Sequence, residues 1–86
     1  MEIPKTSHPV YVSSSRKFKP NTYRISFDVI GDKPLIAINV SIDVTYHVGH
    51  TRQYTAFIVK PEDFNKALNQ VHADMKYSGC KPYTNA

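Results

Sequence analysis

The sequence predicts an α+β domain, a curved antiparallel sheet of three or four strands followed by one C-terminal amphipathic helix. Two patterns carry this. Apolar and polar residues alternate over 22–30 and again over 35–47, the period of a half-buried strand. After Pro61 the period changes, and Phe64, Leu68, Val71 and Met75 recur at helical spacing with Ala67 on the same stripe. The expected organisation is a basic extended N-terminal arm over 1–21, a sheet-plus-helix domain over 22–77, and a C-terminal tail over 78–86.

Each element has its own signal. The arm holds Pro4, Pro9, Pro20 and a run of serines at 13–15, and only "VYV" within it reads as a short strand. In "TYRISFDVI", Tyr23, Ile25, Phe27 and Val29 share one face, and Arg24, Ser26 and Asp28 share the other. "GDKP" at 31–34 makes a turn. In "LIAINVSIDVTYH", Ile36, Ile38, Val40, Ile42, Val44 and Tyr46 share a face opposite Asn39, Ser41, Asp43, Thr45 and His47. This segment is long against the roughly 5–6 residues of an ordinary strand. It reads as a central, strongly curved strand or one continuing across a subunit boundary.

"VGHT" at 48–51 reads as a hairpin turn around Gly49, and 52–60 as the last strand. That strand becomes apolar on both faces through Ala56, Phe57, Ile58 and Val59. The helix would cover one face and a second subunit the other. Pro61, Glu62 and Asp63 suit a helix start, while Lys76 and Gly79 suit its end.

Eighty-six residues with 41% hydrophobic content make one small domain, for which dimerisation is a common remedy. A lone Cys80 excludes an internal disulfide. No apolar run approaches the roughly 20 residues of a membrane span. The first residues lack the pattern of a secretory leader. A cytoplasmic or nucleoid-associated protein without membrane contact is therefore expected. The formal net charge is +4. Lys5, Arg16, Lys17, Lys19 and Arg24 against Glu2 place all of that excess in residues 1–24, which suits a surface that meets a polyanion.

Enzyme chemistry finds little support. Cys80 follows a helix end with nothing to activate it. His47 and His50 in "HVGH" lack the further ligands a metal needs. Asp28 and Asp43 could face the same side of adjacent strands as a nuclease-like pair, but solvent-facing positions are the simpler reading. No Gly-rich phosphate loop is present, with three glycines in all. No enzymatic activity, cofactor or metal is expected.

Nucleic-acid binding has better chemistry, since single strands are held by cations on phosphates and aromatic rings on bases. Two stretches interleave these types. Arg16, Lys17, Phe18, Lys19, Tyr23 and Arg24 form the first, and Arg52, Tyr54, Phe57 and Lys60 the second. Arg16, Lys17, Lys19, Arg24 and Arg52 are candidate phosphate contacts, and Phe18, Tyr23 and Tyr54 candidate stackers. Periodicity points Tyr23 and Phe64 inward, which leaves Phe18 and Tyr11 freer to stack.

"AFIVKPEDFNKALNQV" at 56–71 resembles the end of the positive cofactor four family of transcriptional coactivators and single-stranded-DNA-binding proteins. "GDKPLIAINVSIDV" at 31–44 is similar to that family's second strand. The resemblance implies a curved four-stranded sheet followed by one helix, in a homodimer whose sheets line grooves for single-stranded DNA. It places Lys17, Lys19 and Arg24 among the basic residues around the first strand. Where the family carries Lys-Gly entering the last strand, this chain has Thr55 and Ala56, which leaves Arg52 as the nearest basic substitute.

The leading expectation is a homodimeric accessory of transcription or replication that binds single-stranded nucleic acid, DNA in preference. Its rival is a small inhibitor or adaptor that docks on a protein partner through a sheet edge or its helix. A double-stranded-RNA module fits less well, because its N-terminal helix is missing and the final helix has no basic start.

Overall fold

A computed structural model describes residues 10–13, 17–32, 34–44 and 50–84. Within them the expected α+β arrangement is present. Strands β1 (Val10–Ser13), β2 (Thr22–Ile30), β3 (Leu35–Asp43) and β4 (His50–Val59) are followed by a 3-10 turn (Pro61–Asp63) and helix α1 (Phe64–Tyr77). A two-residue strand, β5 (Lys81–Pro82), comes last. The sheet is open, in the order β1-β4-β3-β2-β5, with every pairing antiparallel except the parallel contact of β5 with β2.

β3 lies at the centre of the sheet, and its alternation does what the sequence predicts. Ile38, Val40 and Ile42 are buried beneath the helical stripe Ala67, Val71 and Met75, together with Tyr23, Phe57 and Val59. β3 ends at Asp43 rather than running to residue 47; residues 45–49, with the expected turn at Gly49, lie outside the described residues.

The apolar run in β4 has a specific cause. Ile38 pairs with Phe57 but Asn39 pairs with Thr55, so Ala56 is an extra residue in the ladder. Such a bulge shifts the side-chain parity of its strand. Tyr54 before it and Phe57 and Val59 after it all fall on the core face. Part of what reads as burial on both faces is one face continued past a bulge.

The core face of β2 is only half covered. Tyr23 is buried, yet Phe27 is 49% and Val29 75% exposed. A 14-residue helix spans about 21 Å, and a nine-residue strand about 30 Å. Phe64 at the start of α1 still meets Phe27 edge to face, with ring centroids 5.0 Å apart.

The helix stops in a Schellman turn. The Cys80 N–H donates to the Met75 carbonyl and the Gly79 N–H to the Lys76 carbonyl, with Gly79 at φ 83°. This reversal returns the chain alongside β2, where the Lys81 and Tyr83 N–H groups donate to the carbonyls of Asn21 and Tyr23. The segment read from sequence as a tail is thus docked as far as Thr84.

Candidate functional site

The basic loop before β2 is built around a buried carboxylate. Asp43 lies on the sheet face away from the helix and is fully buried. Its Oδ2 accepts the Lys19 N–H at 2.8 Å, its Oδ1 accepts the Thr51 hydroxyl at 2.9 Å, and its carbonyl accepts the Asn21 N–H at 2.7 Å. The Thr22 hydroxyl donates to the Lys19 carbonyl, and Asn21 takes the left-handed conformation at φ 61° that asparagine tolerates. These bonds fix the backbone from which Lys17, Lys19 and Arg24 project.

Asp43 is therefore neither solvent-facing nor part of a carboxylate pair. Asp28 shares its sheet face but pairs with Ala37, six ladder positions from Asp43, about 20 Å along the strands. Asp28 instead accepts from the Asn39 amide, whose oxygen accepts the Thr55 hydroxyl, both at 2.8 Å. This polar chain ties β2, β3 and β4 together across the bulge.

Tyr83 gathers the cations. Lys19 Nζ lies 4.7 Å from its ring centroid and also donates to the Thr84 carbonyl. The Arg24 guanidinium lies 6.0 Å from the same centroid, and the Tyr83 hydroxyl donates to the Lys17 carbonyl at 3.0 Å. Beside this cluster two concavities of ≈ 530 and ≈ 480 Å³ share Tyr23, His72 and Pro82. Arg24, Phe27 and Tyr83 extend the first, and Lys76, Cys80 and Lys81 the second.

Tyr23 spans the core and this groove. Its ring is 5% exposed, so it is not a platform for a base, as its inward periodicity implied. Its hydroxyl reaches His72 Nδ1 at 2.6 Å, with the two rings edge to face at 5.7 Å. Burial, followed by the nearby Cys80 thiol, pushes the hydroxyl above its ordinary value of 10.0. It remains protonated and can donate to Nδ1 when the imidazole proton sits on Nε2. Burial likewise raises the Cys80 thiol.

The other expected contacts divide. Phe18 is half-buried and Lys17 exposed, while Arg16 lies outside the described residues. Arg52 and Tyr54 do not join the Tyr83 cluster. They lie two strands away on the core face, where Arg52 registers with Ile42 and Tyr54 with Val40. The Arg52 guanidinium sits 5.4 Å from the Tyr54 ring, and its buried Nε has no hydrogen-bond partner among the described residues. For the histidines of "HVGH", His50 opens β4 exposed and His47 lies outside the described residues.

Tyr83 and Lys81 were not among the residues expected at the site. Their signal was present: a glycine suited to a helix C-cap, then a cation, a proline and an aromatic ring, which together can turn the chain back onto the sheet. No protein-family model, curated protein or solved structure matches this chain.

Proposed function

We propose that this protein binds single-stranded nucleic acid, DNA in preference, as a homodimeric accessory of transcription or replication in the manner of the positive cofactor four-like proteins it resembles. The observation that carries the reading is the convergence of Lys19 and Arg24 on the ring of Tyr83, whose hydroxyl also holds the Lys17 backbone, beside an open groove with Tyr23, His72 and Lys81 in its wall. Cations drawn from two distant segments give a backbone-tracking charge, and the groove is large enough for an unstacked base. Phe18, half-buried and adjacent in sequence to Lys17 and Lys19, is a candidate ring for stacking. A cytoplasmic or nucleoid-associated location fits this role.

The test is a fluorescence-anisotropy titration of labelled single-stranded DNA, single-stranded RNA and duplex DNA at several salt concentrations. Neutralising four phosphates gives a slope of log K against log salt of about −3 for single strands. Affinity that stays flat between ~50 and ~200 mM salt overturns the reading. The rival reading, an inhibitor or adaptor docking through a sheet edge, draws on the half-covered β2. A monomer that ignores oligonucleotides favours it.

A further inference from the structure

The outer edge of β2 is used only at its start. The Tyr23 carbonyl accepts the Tyr83 N–H, and β5 registers with Thr22 and Tyr23 alone. Backbone groups alternate sides along a strand, so the N–H and C=O groups of Ile25, Phe27 and Val29 point to the same side as the Tyr23 carbonyl. Among the described residues nothing pairs with them there. An open edge bearing exposed Phe27, Val29 and Ile30 is a template for another strand.

From this edge we infer that a second copy of the chain pairs with it, β2 against β2, antiparallel about a two-fold axis at Phe27. The inference rests on the homodimer proposed above, not on nucleic-acid binding. Its occupant follows from the strand's self-complementarity. Phe27 is the midpoint of the free groups, so this register satisfies all three residues on each copy and stops short of β5. It sets Phe27 against Phe27 and Ile25 against Val29 on the helix face, and Ser26 against Asp28 on the other. Arg24 of each copy then lies diagonally from Asp28 of the other, a separation of roughly 7–8 Å that an arginine can reach. One strand thus carries an apolar row on one face and opposite charges at the two ends of the other, the isologous pattern of a two-fold interface. The two grooves come to lie on one continuous sheet, on either side of the axis.

Sedimentation-equilibrium measurements on the full chain test this. Val29 is exposed in the single chain, so Val29→Lys should leave the thermal melt of the protomer intact and weaken the dimer at least about tenfold, as a lysine on a sheet edge does. Asp28→Lys should weaken it by setting like charges together, and adding Arg24→Glu should restore part of the loss. A wild-type chain that is monomeric throughout overturns both the seam and the dimer. A dimer indifferent to Val29→Lys and to the charge exchange overturns the seam alone and leaves the dimer to another surface. Oligonucleotide affinity, measured on the wild type and Val29→Lys, which alters no proposed phosphate contact, reports separately on the proposed function.

Discussion

Asp43 shows how one side chain can organise a surface it never touches. Removing its carboxylate takes away the acceptor of the part-buried Lys19 N–H and of the buried Thr51 hydroxyl. Asp43→Ala should cost about 3 kcal/mol in denaturant unfolding, with a smaller loss for Asp43→Asn, which keeps one acceptor. Both should weaken oligonucleotide binding, since Lys17 and Lys19 lose their fixed backbone. Unchanged binding by a folded Asp43→Asn protein would separate the loop from the site. The alternation of 35–47 places Asp43 on the polar face correctly but cannot show its burial. That burial comes from a loop 24 residues earlier folding over it, a contact with no local periodic trace.

Tyr23 and Cys80 give a pH dependence whose sign follows from burial. Both groups are held above their ordinary values of 10.0 and 9.0 because the charged form is desolvated. The unfolded chain therefore releases these protons at lower pH than the folded one. The stability these two groups contribute is fully present well below pH 9, falls as pH rises past the unfolded value of each group, and is lost once the folded values are passed. Melting temperature measured across the alkaline range should decline, and Tyr23→Phe with Cys80→Ser should flatten the decline. At neutral pH, Tyr23→Phe removes only the bond to His72, at a cost of about 1 kcal/mol.

At the scale of elements, the turn after α1 decides whether the C-terminal segment belongs to the site. Gly79 at φ 83° has open space where a Cβ would go, so Gly79→Ala meets backbone strain and no steric clash. The expected cost is about 1 kcal/mol. The same change should loosen β5 and Tyr83, because the reversal from helix to sheet passes through this residue. Tyr83→Ala keeps the turn but releases the ring shared by Lys19 and Arg24. Affinity for single-stranded DNA should fall about tenfold, close to 1.4 kcal/mol, with the core unaffected. If Tyr83→Ala binds as the wild type does, the cluster is only structural. Strands and helix were legible because alternation and helical spacing are local. The docking of β5 was not, since Tyr83 meets a carbonyl 66 residues away. The bulge at Ala56 was half-legible: core positions Tyr54, Phe57 and Val59 are spaced by three and then two, and the same run also fits a strand covered on both faces.

At the scale of the whole molecule, the uncovered half of β2 and the smallness of the chain are one problem. Its helix cannot reach the far end of the sheet, so Phe27 and Val29 stay in water in the single chain, as does Ile30 on the opposite face. An 86-residue domain has little burial in reserve. Pairing β2 across a two-fold would cover these residues and bond the open edge, which makes stability depend on association. Stability then rises with protein concentration, by about 1.4 kcal/mol per dimer for each tenfold increase. Shared between two protomers and converted at the entropy of a domain this size, that is roughly 3–6 °C in melting temperature per tenfold. Calorimetric scans over a hundredfold range of concentration should show this slope for the wild type, with Val29→Lys melting lower at every concentration by at least one decade's worth of it. Coincident lines for the two would place the association elsewhere, and a flat wild type would mean that the exposed end of β2 is tolerated by the protomer alone.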